Sequence, residues 1–268
     1  MTLSLRQRAI MEIAKADGQV MVDDLAGRFS VSPQTIRRDL QDLCEARHLQ
    51  RIHGGAVFET GAVNVVYETR RAMASAAKEA IGRAMAARVE NGASLFLAIG
   101  TTTEAVARAL SGHRDLLVVT DNLNVATTLG PTGAAEVVVA GGSYRPGDGG
   151  VVGSATATFL RQFKLDLAVI GTSAIDPDGW LLDYDLREVE ATRAMFANAR
   201  RRVLVADATK FERAAPVRVA ELAGLDTLVT DAPPPPGIAR IAAEAEVEIA
   251  VAGDAPVTIA TDPPPPGA

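Results

Sequence analysis

A twelve-residue string near the amino terminus, SPQTIRRDLQDL at positions 32–43, constrains the fold more than any other part of the 268-residue chain. Ser32 has the hydroxyl that is favoured at a helix N-cap, and Pro33 suits the first helical position because an N–H there would have no intrahelical partner. Apolar residues then recur at helical spacing, which predicts a helix with one buried face. The residues of that face are Ile36, Leu40 and Leu43.

The segments around this string predict a winged helix-turn-helix over residues 1–58. A first helix is expected over 5–16, and a short second helix has Asp23 and Asp24 in its first turn, where the helix dipole favours carboxylates. After the third helix, residues 49–52 alternate in polarity, residues 53–55 indicate a turn and residues 56–58 resume an extended pattern, which together predict a β-wing. The inward residues of the first helix are expected to be Leu5, Ala9, Ile10, Ile13 and Ala14.

The outward side of the third helix predicts a DNA-binding face. A helix-turn-helix inserts the amino-terminal part of this helix into the major groove, where Gln pairs with adenine, Arg with guanine, and Thr contacts a thymine methyl. The alternative is a solvated helix face, and His53 in the wing can equally be structural. The expected DNA-binding residues are Ser32, Gln34, Thr35, Arg37 and Arg38 on the helix, with Arg51 and His53 in the wing.

The rest of the chain predicts an α/β domain with a mainly parallel sheet and helices on its faces. Short apolar runs alternate with helical patterns from residue 94 onwards, which is typical of such sheets. We expect a linker over 59–76, this larger domain over 77–253, and a disordered tail over 254–268 that ends in a proline run.

A loop of Gly100 followed by three threonines predicts an anion site in the larger domain. It lies between a predicted strand and a predicted helix, where free backbone N–H groups and the helix dipole favour a phosphate. An ordinary N-cap is the alternative for this loop, a helix cap for Asn122 and a solvated surface position for Lys210. The expected ligand contacts are Gly100, Thr101, Thr102, Thr103, Asn122 and Lys210.

Several motifs together resemble the DeoR-type family of bacterial sugar-metabolism regulators. They are SVSPQTIRRDL at 30–40, RIHGGA at 51–56, IGTTTEAVARAL at 99–110, DNLNVA at 121–126, DGGVVG at 148–153 and VLVADATKF at 203–211. The resemblance covers nearly all of residues 3–235. It implies a transcription repressor whose larger domain is a sensor with a ribose-5-phosphate isomerase-like fold. It also implies a small phosphorylated effector, with glycerol 3-phosphate as the expected one, and release of operator DNA when the effector binds.

Four positions depart from the family's pattern. Ala98 stands where many members have an acidic residue, and Thr192 where a lysine is common, so both bear on ligand binding. Arg47 replaces a frequent glycine near the wing. Met21 replaces the usual Ser or Thr cap of the second helix, which costs about 1 kcal/mol of stability.

The charge distribution agrees with a small DNA-binding module on an acidic sensor. The net charge is −6, yet residues 1–58 carry eight Lys or Arg against seven Asp or Glu, so this segment is +1 and the remainder −7. The chain has no apolar stretch of the ~20 residues that span a bilayer, and we expect a cytoplasmic protein. The lone Cys44 excludes an intramolecular disulfide, and we expect no cofactor or metal. Two-fold operators favour a homo-oligomer, a dimer or tetramer.

Two other functions compete with that of a sensing repressor. A sugar-phosphate isomerase-like enzyme with a DNA-binding anchor would need a positioned acid-base pair. No such pair is visible around the three histidines (His48, His53 and His113), although carboxylates such as Asp121, Asp183 or Asp207 could act as the acid or base. An architectural DNA-binding protein would leave the Gly-Thr loop without a ligand. Turnover assays and ligand thermal shifts separate these classes.

Overall fold

The fold is described from a computed structural model, which covers residues 3–17, 19–46, 48–52, 54–58 and 67–253. His53, Arg47, residues 59–66 of the predicted linker and the predicted tail lie outside these residues. The chain forms two compact units that divide between Met73 and Ala74. In its described part, the predicted linker over 59–76 contains one whole helix and the start of the next one. No described helix is both long and apolar enough to cross a membrane.

The amino-terminal unit is the predicted winged helix-turn-helix. Ser32 accepts a hydrogen bond from the backbone N–H of Thr35 (3.2 Å), with Pro33 at the first helical position. Its elements are α1 (Leu5–Asp17), β1 (Gln19–Met21), α2 (Val22–Phe29), α3 (Pro33–Glu45), β2 (Leu49–Ile52), β3 (Gly55–Phe58) and α4 (Tyr67–Ala72). Met21 precedes α2 without a side-chain cap, as its departure from the family's pattern predicts.

The core of this unit follows the predicted apolar faces, with one exception. Ile10 of α1 and the inward residues of α3 have no exposed surface. Leu5 was expected on the same face but is 83% exposed, because it begins α1, beyond the elements that cover the helix. The inward residues of α3 are Ile36, Leu40 and Leu43.

A short strand that the sequence did not predict completes the wing. β1 pairs with β3 and β3 with β2, all antiparallel. Gly55 is required at this contact, because a Cβ there would lie 2.1 Å from the carbonyl oxygen of Val20. Gly54 thus allows the turn of the wing, and Gly55 allows the close approach of β1.

The larger unit has the predicted parallel sheet. Seven strands run in the order β15-β14-β12-β9-β4-β5-β6, and every neighbouring pair is parallel. Separate apolar clusters cover its two faces, one with α5, α6 and α7 and the other with α8, α9 and α10. The strands of this sheet are β4 (Ser94–Leu97), β5 (Leu116–Thr120), β6 (Ala135–Val139), β9 (Leu165–Ile170), β12 (Ala199–Val205), β14 (Thr227–Thr230) and β15 (Glu248–Val251).

The remaining elements cover this sheet and its carboxyl edge. β7 (Ser143–Arg145) and β8 (Gly150–Val152) form a hairpin, and β10 (Ala174–Ile175), β11 (Trp180–Asp183) and β13 (Val217–Glu221) form a small antiparallel sheet. The helix predicted over 77–90 is shorter at its end, since α5 stops at Ala86, although Val89 beyond it is still buried. The helices are α5 (Ser75–Ala86), α6 (Thr101–Ala109), α7 (Leu123–Leu129), α8 (Ser154–Leu160), α9 (Leu186–Ala197) and α10 (Pro236–Glu244).

Candidate functional site

The predicted DNA-binding residues of α3 lie on one solvent-facing side. Gln34, Arg37 and Arg38 are exposed, while Thr35 is half-buried. The Ser32 and Thr35 hydroxyls are 2.9 Å apart and hydrogen-bonded to each other. The N-cap therefore engages the hydroxyls of Ser32 and Thr35. The exposed polar groups that remain are the side-chain amide of Gln34 and the two guanidinium groups of Arg37 and Arg38.

Arg51 of the wing is brought against the same helix. It is exposed, and its guanidinium donates to the carbonyl oxygen of Arg37 (3.5 Å). The wing arginine and the α3 arginines thus form one basic surface on the amino-terminal unit. His53, the other predicted wing residue, lies outside the described residues.

Polar contacts with α1 fix the opposite side of α3. Asp39 is only 6% exposed and forms an ion pair with Arg6, and Gln7 donates to Asp42 (3.1 Å). Arg6 is one of the basic residues counted in residues 1–58, but its side chain binds Asp39 of α3. These contacts set the angle at which the exposed arginines leave the protein.

The predicted ligand residues of the larger unit follow strands whose carboxyl ends meet at one edge of the sheet. The Gly-Thr loop follows β4, Asn122 follows β5, and Lys210 lies after β12. β9 lies between β4 and β12, so the carboxyl ends of β4 and β12 are about 10 Å apart at the usual strand spacing. Ligands of open parallel sheets bind at this edge.

The Gly-Thr loop has the geometry of an anion-binding turn. Gly100 has a φ of +149°, which L residues rarely adopt, and it precedes the first turn of α6. The Thr103 hydroxyl points inward at the carbonyl oxygens of Ala98 and Gly100, 2.7 Å from each. Thr103 therefore holds the shape of the loop, and Thr101 and Thr102, both almost buried, are the better candidates for a ligand.

Asn122 adopts the cap role that was the alternative for it. Its side-chain oxygen accepts from the backbone N–H of Asn124 (2.9 Å), and its amide group donates to the buried Glu104 (3.3 Å). Asn124 donates to the same carboxylate (2.9 Å). Asn122 thus links α7 to α6 beside the Gly-Thr loop.

Lys210 lies in a buried basic cluster with Lys78 of α5, a residue that the sequence analysis missed. Lys78 is 4% exposed and Lys210 9%. Burial by itself raises the pKa of Asp207, but Lys210, then Thr209, Lys78 and Arg213, outweigh burial and lower that pKa below its usual value. Three basic groups thus act on this one carboxylate, and such groups can also bind an anionic ligand. A detectable signal existed, because Lys78 falls on the apolar register of α5.

A second charged cluster, centred on Arg145, lies on the β7–β8 hairpin. Its guanidinium binds Asp148 through two nitrogens (2.8 and 2.7 Å), and also Asp185 (2.9 Å) and Glu188. Burial alone lowers the pKa of Arg145, but these carboxylates raise that pKa above its ordinary value. Arg187 also pairs with Asp185 (2.8 Å), so three carboxylates face two arginines in these ion pairs.

Asp121, at the end of β5, is buried near this acidic cluster. It has no exposed surface, and burial raises the pKa of its carboxyl to about 7, although the backbone N–H groups of Asp121 and Ile99 and the charge of Arg145 act to lower it. Those two N–H groups face the carboxylate, but no donor among the described residues meets hydrogen-bond geometry with either of its oxygens. The sequence analysis considered Asp121 only as an acid for the competing enzyme.

An open cleft of about 590 Å³ beside α8 is a separate feature of the larger unit. It is lined by Gly141, Gly142, Ser154, Ala155, Thr158, Phe159 and Gln162. This lining contains none of the predicted ligand residues and no charged group. Among the described residues, no group of His, Cys, Asp or Glu side chains is placed to hold a metal ion.

Comparisons with known proteins agree along nearly the whole chain. A model of the DeoR-like helix-turn-helix domain matches residues 6–61, and one of the DeoR C terminal sensor domain matches residues 73–232. A glycerol-3-phosphate regulon repressor of Escherichia coli (strain K12) is 43% identical over 244 residues, which cover 91% of this chain and 97% of that relative. A repressor of the same name from Haemophilus influenzae is 46% identical over 230 residues, 86% of this chain and 90% of the relative. Among solved structures, ribose 5-phosphate isomerase A from Methanocaldococcus jannaschii aligns at a TM-score of 0.39 and 13% identity, over 52% of this chain and 55% of that one.

Proposed function

The chain belongs to the DeoR family and is a DNA-binding transcription repressor, and we propose that it controls glycerol 3-phosphate utilisation and leaves its operator when glycerol 3-phosphate binds the larger unit. Relatives that are 43% and 46% identical are named after the glycerol-3-phosphate regulon, which motivates this choice of effector. We expect it to act in the cytoplasm as a homo-oligomer, a dimer or tetramer, because helix-turn-helix proteins bind two-fold operators.

In the proposed complex, α3 enters the major groove. Gln34, Arg37 and Arg38 face base edges and Arg51 reaches the sugar-phosphate backbone. Thr35 and Ser32 lie at the helix end closest to the groove, where their oxygens also accept hydrogen bonds. His53 keeps its proposed contact with phosphate or minor groove.

The observation that carries the effector site is the buried basic cluster at the edge that holds the Gly-Thr loop. Lys78 and Lys210 are both less than 10% exposed, and together with Arg213 they act on the buried Asp207, so cationic groups gather at this edge. A phosphate between these lysines and the N-terminus of α6 would gain charge-assisted hydrogen bonds, with the backbone of Gly100 and the hydroxyls of Thr101 and Thr102 as further donors. Thr103 and Asn122 would shape this site rather than contact the phosphate.

The competing enzyme is disfavoured because the relatives with more than 40% identity are named repressors. A sensor and an enzyme can share a fold, so catalysis is decided by the site and not by the fold. Incubation with sugar phosphates, followed by product analysis, distinguishes the two. We expect no turnover.

Operator binding with and without effector tests the proposal. A labelled duplex is first selected by the protein from a random library, and its binding is then followed by fluorescence anisotropy at fixed salt. Glycerol 3-phosphate should weaken binding, whereas glycerol, fructose 6-phosphate and ribose 5-phosphate should not at equal concentration. Release by another of these sugars alone would keep the repressor but replace the effector.

A further inference from the structure

We propose that Asp121 is a ligand-binding residue of the sensor, whose carboxylate accepts hydrogen bonds from effector hydroxyl groups and so selects phosphorylated polyols over phosphorylated acids. This inference rests on the proposed function and adds the chemistry of the non-phosphate end of the ligand. Neither the family resemblance nor the expected ligand contacts assigns this role to Asp121.

The position of Asp121 places it beside the Gly-Thr loop. β4 and β5 are parallel neighbours in which Leu97 pairs with Thr120, so the next residues, Ala98 and Asp121, come level with each other at the sheet edge. The backbone N–H of Ile99, just before Gly100, faces the Asp121 carboxylate. One strand spacing, about 4.8 Å, separates the two backbones at this edge, so the carboxylate lies beside the start of the loop.

The carboxylate of Asp121 is costly to the protein unless something binds it. Its side chain has no exposed surface, and both of its oxygens lack a hydrogen-bond partner among the described residues. Buried polar groups in folded proteins nearly always have a partner, because an unpaired one loses its hydration without compensation. A ligand that donates hydrogen bonds at this point removes the deficit.

The surrounding charges decide which ligand groups fit. An ionised Asp121 itself repels a second anion, while Arg145 and Asp148 act on it with opposite signs. Lys210, which lies after β12, and Lys78 of α5 are among the cationic groups around Asp207. A bound molecule is thus expected to have its phosphate toward the lysines and the α6 N-terminus, and neutral hydroxyl donors toward Asp121.

Because Ala98 has no polar side chain, Asp121 is the carboxylate nearest the loop on these two strands. Ala98 is 2% exposed. The neighbouring strand supplies a carboxylate at the same level of the edge. Its small neighbour also leaves Asp121 without a side-chain partner on β4.

Calorimetric titration with two probes tests this role. The probes are glycerol 3-phosphate and 3-phosphoglycerate, in which a carboxylate replaces one hydroxymethyl group. Wild type should prefer the polyol at pH 8. In Asp121→Asn the affinity for glycerol 3-phosphate should fall at least tenfold. The ratio of the affinities for glycerol 3-phosphate and 3-phosphoglycerate should also fall by more than tenfold, because the amide no longer repels a carboxylate. Asp115→Asn, at an exposed aspartate of the same unit, should keep both wild-type affinities.

Thermal unfolding without ligand supplies a second readout that a structural role would not give. Asp121→Asn should raise the melting midpoint of the full chain, since the substitution removes an unpaired buried carboxylate. The inference would be overturned if this variant had a lower midpoint, failed to fold, or kept the wild-type preference between the probes. Binding of glycerol 3-phosphate by wild type would still support the proposed function. If wild type binds neither probe, the proposed effector fails and this inference falls with it.

Discussion

Arg37 and Arg38 project from the end of α3 that a helix-turn-helix inserts into DNA. Each contributes about 1 to 3 kcal/mol of operator binding if its guanidinium pairs with a base. Substitution of either by alanine should weaken binding by that amount and leave the melting midpoint unchanged, because both side chains are exposed. Anisotropy titrations at several salt concentrations measure the effect. Arg114→Ala, at an exposed arginine of the larger unit, is the control, and wild-type affinity with an unchanged salt slope in the double variant would remove α3 from the interface.

Substitutions of Thr102 and the two buried lysines test the proposed phosphate site. Thr102→Val removes a hydroxyl donor at nearly constant volume and should cost about 1.5 to 3 kcal/mol of effector affinity, the usual value for a hydrogen bond to a charged group. Lys210→Met and Lys78→Met should weaken glycerol 3-phosphate more than unphosphorylated glycerol. These variants should stay on operator DNA at effector concentrations that release wild type. Lys164→Met is the matched control, and wild-type induction of all three site variants would place the phosphate elsewhere.

Arg145 is a structural hub whose loss should be costly and pH-dependent. Arg145→Met leaves three carboxylates without their shared cation, and breaking such a partly buried network costs about 3 kcal/mol at pH 7. The Arg187 hydrogen bond, and then the charges of Arg187 and Arg145, lower the pKa of Asp185 to about 2. A carboxylate with a lowered pKa stabilises the fold above its unfolded pKa of about 4, and this contribution is lost as pH falls toward 2.

Urea denaturation over a pH series checks that behaviour. The deficit of Arg145→Met relative to wild type should be full at pH 7 and should shrink between about pH 4 and 2. Arg187→Met removes an arginine that is 62% exposed, so solvent screens its ion pair and its loss should cost much less stability than that of Arg145. A deficit that does not change with pH would mean that Arg145 acts through packing rather than charge.

At single positions, the sequence was informative where a residue acts within its own helix turn. The Ser32 cap and the buried Ile36 follow from local spacing, and both are confirmed. The ligand-site roles proposed for Lys78 and Asp121 come from burial and from neighbours on other strands or helices. The apolar register of α5 marks Lys78 as a buried position, but no local pattern marks the groups that contact either residue.

Among the secondary structure elements, the packing of α5 on α6 gives a sharp test of close approach. A Cβ at Gly82 would lie 2.6 Å from the carbonyl oxygen of Ala105. This clash could be relieved only by moving the backbone of α6. Gly82→Ala should therefore lower the free energy of unfolding of the larger unit by about 1 to 3 kcal/mol, the usual cost of overpacking. The matched variant is Gly27→Ala in α2, where nothing lies within 4 Å and alanine should stabilise its helix by about 0.5 to 1 kcal/mol. Equal effects of the two changes, measured by urea denaturation, would contradict the close contact.

The elements with a strong apolar period were predictable, and the short paired strands were not. β4, β5, β9 and β12 each have a buried apolar run, and all four lie in the region where short apolar runs predicted a parallel sheet. β1 and β13 pair with strands distant in sequence, and β10 has only two residues, so no local pattern marks them. The end of α5 was missed for another reason, because its apolar period continues to Val89 after the helix has ended.

For the whole molecule, the sequence predicted the class of each unit and the chemistry that each carries. The winged helix-turn-helix and the parallel sheet follow from caps and periodicity, which are local signals. The grouping of Lys78, Lys210 and the Gly-Thr loop at one sheet edge follows from strand order, β12-β9-β4-β5, which no local signal specifies. Charge separation between the basic cluster and the acidic Arg145 cluster likewise appears only in the folded sheet.

The coupling of the two units gives the last prediction. An effector can release DNA only if it binds the DNA-free protein more tightly than the DNA-bound protein, and thermodynamic linkage then requires operator DNA to weaken effector binding by the same factor. Titration of glycerol 3-phosphate into the free repressor and into its saturated operator complex should therefore give affinities that differ by the factor by which the effector weakens operator binding, commonly about 5- to 150-fold. Arg37→Ala with Arg38→Ala is the control, since this variant should bind effector equally with or without DNA at concentrations where it no longer binds the operator. Equal effector affinities in the two wild-type titrations would show that glycerol 3-phosphate is bound but is not the inducer, because a ligand without differential affinity shifts no equilibrium.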